Sequence, residues 1–133
     1  MKAAIGHVGI NVSSTRALAF WKDILRFLDF KIIEDGAHFD ATDSRSYFCI
    51  VVTARKYKKD GFHRKRTGLN HISLRVSSPK LVDKFVSKFL MPRKIKLLYG
   101  GAKKYPEYSK DYYAVFFEDP DRIKIEVAHE PLW

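Results

Sequence analysis

HVGINVSS, at residues 7–14, is written again as HISLRVSS at residues 71–78. His, the second Val and both Ser are identical in the two copies, and Val8/Ile72 and Ile10/Leu74 are like for like. Each copy alternates. Val8, Ile10 and Val12 point one way, as do Ile72, Leu74 and Val76. His7, Gly9 and Asn11 point the other, as do His71, Ser73 and Arg75. Period-two alternation of this kind predicts a half-buried strand with its histidine on the face away from the apolar side. One copy in each half of a 133-residue chain predicts an internal duplication.

Working outward, each copy leads into the same series of elements. In the first half, strand 5–12 is followed by a helix with Ser14 as N-cap and Ala17, Leu18, Trp21, Leu25 and Leu28 at helical spacing. Strands are expected at 29–34, 38–42 and 47–53, with turns at Asp35-Gly36 and Asp43-Ser44. In the second half, strand 70–76 precedes a helix that starts at Ser78-Pro79 and buries Leu81, Val82, Phe85, Val86 and Phe89. Met91-Pro92 ends it. Strands are expected at 94–99, 112–117 and 123–128, separated by Gly100-Gly101, a loop carrying Tyr105 and Tyr108, and the turn Asp119-Pro120-Asp121. The reading is α+β: two tandem β-α-β-β-β modules, residues 1–54 and 69–133, joined by a linker at 55–68. Roughly 65 residues make a marginal core alone, so the modules should fold as a single domain.

Composition narrows the function classes. No apolar run approaches the roughly 20 residues of a membrane helix, and the N-terminus lacks the apolar core of a secretory leader. The single cysteine, Cys49, excludes an internal disulfide and fits a reducing compartment, so a cytoplasmic protein is expected. Cys49 lies in the apolar run YFCIVV and reads as a core residue. The net charge is +10, with seven basic residues between Arg55 and Arg66. A solvated linker accounts for that run; attraction of an anionic substrate is the functional alternative. No helix-turn-helix, RNP or zinc-finger pattern supports a nucleic-acid reader.

In the last strand Ile123, Ile125 and Val127 form the apolar face, and Lys124 and Glu126 point away from it. His7, His71 and Glu126 thus stand on polar strand faces, which would line a common concavity once helices cover the apolar faces. Two imidazoles and a carboxylate suit a divalent ion, whether zinc, nickel, manganese or iron(II), with positions left open. The ordinary alternative is two strand-face histidines and a surface charge. His38, His63 and His129 have no companion at ligand spacing.

The paired modules, the HVGINV and HISLRV strands and the ending YYAVFFEDPDRIKIEV resemble the vicinal-oxygen-chelate superfamily. It includes glyoxalase I, methylmalonyl-CoA epimerase, extradiol dioxygenases, fosfomycin-resistance enzymes and bleomycin-binding proteins. The resemblance implies a cupped, antiparallel-rich mixed sheet. It also implies one divalent metal ion held by His7, His71 and Glu126, a small-molecule substrate and a homodimer. Superposing Asp43 on Asp119 puts Ile50 opposite Glu126, where four-ligand members carry a carboxylate. A three-ligand site is therefore expected, as in the extradiol and fosfomycin enzymes. Phe116 stands where the extradiol signature has Tyr, and Arg122 where Gly is usual.

The function implied is metal-dependent isomerase, lyase or epimerase chemistry of glyoxalase-like type on a small vicinal-oxygen substrate. The rivals are an extradiol ring-cleaving dioxygenase and a metal-free, bleomycin-type sequestering protein; the intact His7, His71 and Glu126 argue against the latter. Besides Glu126, Tyr112 is the candidate for moving a proton. Arg75 and Lys124 are candidates to hold a substrate anion, with Phe116 and Ile50 lining the same place.

Overall fold

The computed structural model describes residues 1–35 and 37–131. Its first copy of the repeat forms β1 (Val8–Val12), with Ile10 and Val12 buried and Gly9 and Asn11 exposed. Strand geometry starts at Val8; residues 5–7, expected in this strand, precede it. α1 (Thr15–Phe27) begins where Ser14 Oγ accepts from the Ala17 N–H at 3.2 Å. Its buried stripe is Ala17, Leu18, Trp21, Ile24 and Leu25. Trp21 is fully buried, so truncation to Ala should cost about 3–5 kcal/mol. β2 (Lys31–Asp35), β3 (His38–Thr42) and β4 (Tyr47–Val52) complete the module. Gly36, half of the expected Asp35-Gly36 turn, lies outside the described residues.

The sheet order is β1-β4-β3-β2, with β1 parallel to β4 and the other pairs antiparallel. α1 lies against this sheet. Side chains on the other face, among them His7, Asp40, Tyr47 and Cys49, are exposed or half-buried.

The second half repeats the plan. β5 (Ile72–Arg75), β8 (Lys124–His129), β7 (Tyr113–Glu118) and the short β6 (Lys103–Lys104) lie side by side in that order. β5 is parallel to β8, and the remaining pairs are antiparallel. α2 (Pro79–Phe85) continues as one wide π turn over Val86–Leu90. The buried stripe is Val82, Phe85, Phe89 and Leu90; Leu81 is exposed and Val86 half-buried, where both were expected in the core. Ser78 makes no side-chain capping bond; Pro79 alone marks the start. Phe85 packs on Phe117 with ring centroids 5.6 Å apart, so Val115, Phe117, Ile125 and Val127 form the helix-covered face.

Residues 94–99 do not form the expected strand. Lys94 and Tyr99 take left-handed backbone, φ 54 and 55, and only Leu97 bridges to Phe117. Pairing with β7 comes later, from Lys103–Lys104, inside the segment read as loop.

The chain divides into two compact units, one ending at Gly61 and the other starting at Phe62. Arg55–Asp60 is a short 3-10 turn with no buried residue. Within the second unit, Arg64 forms an ion pair with Glu118 and is not a free cation. No helix among the described residues is long and apolar enough to cross a membrane.

Candidate functional site

In the second unit the face of the sheet away from α2 is built around a small floor. Ala114 and Ala128 pair across β7 and β8, and their methyl groups leave room above them for Tyr105, Tyr112 and Phe116. A cavity of about 790 Å³ opens there, its charged lining Glu107, Glu126, Glu130, Lys103 and Lys124, with His71 and the rings of Tyr99, Tyr105, Tyr108, Tyr112 and Phe116 around them.

Glu126 is 1% exposed. A carboxylate that deep must be held by donors or cations. Tyr112 Oη donates to its Oε1 at 2.8 Å. Its Oε2 lies 3.3 Å from His71 Nε2. Burial, and then the hydrogen bond to Glu126, raise the Tyr112 phenol well above its ordinary range. Tyr112 therefore stays protonated and serves as a donor to Glu126. As a phenolate base it would face that carboxylate, so the proton-moving role its surroundings leave to it is that of an acid.

His71 Nδ1 lies 2.7 Å from Asn70 Oδ1. With that nitrogen donating to the Asn carbonyl, Nε2 keeps its lone pair. Two acceptors, Nε2 and Glu126 Oε2, then face one space, and their closeness calls for a positive species between them. A proton on the ring supplies one; a divalent ion supplies one better, and a second-nitrogen donor bond is the usual support of a metal-binding imidazole. The donor set thus fits a borderline divalent cation.

His7 is exposed on the first unit at the matching place of the repeat, its ring edge-on to Tyr47 at 6.5 Å. Within neither unit do three or more His, Cys, Asp or Glu side chains converge as a metal cluster among the described residues.

Of the other expected residues, Phe116 and Lys124 line the cavity, while Arg75 is exposed and does not. Ile50 is displaced from its expected role. It pairs with Ile10 and is fully buried under α1's side of the sheet. Gly9 and Ser73 are equivalent in the repeat; Gly9 pairs with Cys49, and Ser73 with Glu126. Cys49, half-buried, is therefore the residue that corresponds to Glu126. The cause is the turn before the last strand of each module. It closes from Asp43 N–H to Ser46 O in the first, and from Asp119 N–H to Ile123 O in the second, one residue longer.

Cys49 neighbours Asp40, whose carboxyl is held below its ordinary value chiefly by hydrogen bonds from Tyr47 (2.7 Å) and Cys49. Burial and Asp40 push the Cys49 thiol up, which makes it a poor nucleophile at neutral pH. Tyr99 was missed as a wall residue; Tyr105 and Tyr108, weighed for the cavity mouth but read as a solvated loop, line the cavity.

No family model matches the chain. It is 32% identical over 125 residues to the uncharacterised Bacillus subtilis protein YqjT, covering 92% of this chain and 95% of that one. Among solved structures, a candidate glyoxalase from Bacillus halodurans superposes with a TM-score of 0.81 at 34% identity, over 93% of each chain. The fosfomycin resistance protein FosX of Listeria monocytogenes shares the fold, with a TM-score of 0.71 at 15% identity, over 99% of this chain and 97% of that one.

Proposed function

Since this chain belongs to the vicinal-oxygen-chelate superfamily, we propose that it is a divalent-metal-dependent enzyme of glyoxalase-like type. Its substrate would be a small molecule with adjacent oxygens, and its chemistry isomerase, lyase or epimerase. The observation that carries the reading is the facing pair His71 Nε2 and Glu126 Oε2, 3.3 Å apart, in a cavity wall. His7, His71 and Glu126 would hold the metal. When bound, the metal would supply a Lewis acid for an oxygen that becomes enolate-like or alkoxide-like as a neighbouring proton leaves.

The chain's own groups have assignable parts. Asn70 fixes the ring of His71 and selects the nitrogen it presents. Tyr112 holds one oxygen of Glu126, which leaves the other directed at the cavity. The rings of Phe116, Tyr105 and Tyr99 keep water from one side of the bound substrate. Lys124 brings a positive charge to the same space. A homodimer and a cytoplasmic setting belong to this reading; sedimentation at micromolar concentration should give twice the 15.5 kDa chain mass.

The test is reconstitution with zinc, nickel, manganese or iron(II), followed by proton NMR of 2-hydroxy and 2-oxo compounds in deuterated water. Exchange of the proton next to the carbonyl should require both metal and Glu126. Oxygen uptake with a catechol under iron(II), without such exchange, would assign the protein to ring cleavage instead.

A further inference from the structure

We propose that the cavity of the second unit selects a small planar ring compound carrying an oxygen anion, such as a ring carboxylate. The inference rests on the reading of that cavity as the substrate site and adds the class of molecule. Three observations carry it.

The first is the shape and chemistry of the wall. Phe116 stands at its centre, in edge-to-face contact with Tyr99 and Tyr105, both at 5.5 Å. Tyr108 stacks on Tyr105 at 5.7 Å and meets Tyr112 edge-on at 5.3 Å. A wall of alternating ring faces and edges rewards a further flat ring over a puckered one.

The second is Lys124. Its ammonium lies 5.8 Å from the Tyr99 ring centre and 5.7 Å from that of Phe116. Those aromatic contacts are its partners among the described residues; it forms no ion pair there, although Glu107, Glu126 and Glu130 line the same cavity. Glu118, opposite it on β7, is taken up by Arg64 and Arg122.

The third is Tyr105. Its residue is 7% exposed and lines the cavity, yet its hydroxyl has no hydrogen-bond partner among the described residues. Burial, foremost, raises this phenol above its ordinary value, so it remains a donor. A buried donor without an acceptor is costly; the hydroxyl is sealed from a water-sized probe, so a ligand oxygen removes that cost once the Tyr105 ring turns toward the cavity. A ring against Phe116, an anion toward Lys124 and an oxygen within reach of Tyr105 describe one molecule.

The experiment titrates the full chain with benzoate, benzyl alcohol and cyclohexanecarboxylate by NMR. Benzoate should bind about two- to tenfold more tightly than either of the others, the scale of one aromatic or cationic contact. Lys124→Met should remove the advantage over benzyl alcohol, and Tyr105→Phe should weaken benzoate about two- to tenfold. Phe116→Leu should remove the advantage over cyclohexanecarboxylate; should that variant not fold, the half-exposed Lys124 change still decides. Equal binding of the three probes, no saturable binding, or benzoate binding unchanged in Lys124→Met would overturn the proposal. A zinc titration run alongside separates the two claims. Zinc bound through His71 and Glu126 with no benzoate binding overturns only the ligand class. Benzoate bound as described with no zinc overturns only the metal reading.

Discussion

Replacing Tyr112 by Phe removes one oxygen atom from a buried site and leaves the ring in place. The lost contact is the 2.8 Å donation to Glu126 Oε1. Glu126 is 1% exposed, so water cannot readily take over that oxygen. A hydrogen bond to a charged group is worth about 1.5–3 kcal/mol, and the larger end applies when the partner is left buried and unpaired. Tyr112→Phe should thus lose about 2–3 kcal/mol in urea unfolding with chelator present. In the metal reading Tyr112 supports a ligand, and removal of such a support weakens binding about 10- to 100-fold. Calorimetric zinc titration of parent and variant reads that term. The phenol itself, raised above its ordinary value, should show no phenolate absorbance at pH 10. Stability within about 0.5 kcal/mol of the parent together with unchanged zinc affinity would refute the reasoning; so would titration of Tyr112 below pH 10.

Three further outcomes follow from named positions. Ile50→Glu should fail to fold, because Ile50 is fully buried and a carboxylate there has no partner; Cys49→Glu, on the open face, should fold with a loss of about 1 kcal/mol against the nearby Asp40, and far-UV circular dichroism separates the two. Arg122→Gly should raise stability by a few tenths to about 1 kcal/mol in urea unfolding, since Arg122 sits at φ 66, a backbone region costly for a side chain. Asp40 has a lowered carboxyl pKa owing first to Tyr47, so its stabilising effect is complete above the ordinary carboxylate value near 3.8 and is lost as pH falls through the lowered one; Asp40→Asn should reduce stability at pH 6 by less than about 1 kcal/mol, solvent screening being strong there, and leave it unchanged at the acid end of that window.

The duplicated strand was enough to read the two modules, because period-two alternation and its apolar face are local properties of eight residues. Ser14 and Asp119 were legible for the same reason: Asp119 Oδ1 accepts the N–H groups of Asp121 and Ile123, both at 2.8 Å, within its own turn. The partner of Glu126 was not legible. Placing Cys49 instead of Ile50 opposite it depends on a one-residue difference in turn length, and one residue reverses the face of every side chain in a strand. The wall of the cavity was hidden for a different reason. Tyr99 and Tyr105 belong to an irregular segment with left-handed backbone at Tyr99, Gly100 and Gly101, which has no periodicity to read. Its place is fixed by tertiary contacts, the Tyr105–Tyr112 backbone bond and the packing on Phe116.

The measurement that bears most directly on the proposed function is a metal count on chelator-stripped protein titrated with zinc and with manganese, in the parent and in His7→Ala, His71→Ala and Glu126→Ala. The account predicts one divalent ion per chain in the parent. It predicts loss of that ion in each of the three variants, with urea unfolding otherwise cooperative. A parent that binds no divalent ion, or a Glu126→Ala variant that keeps the parent's affinity, would contradict it.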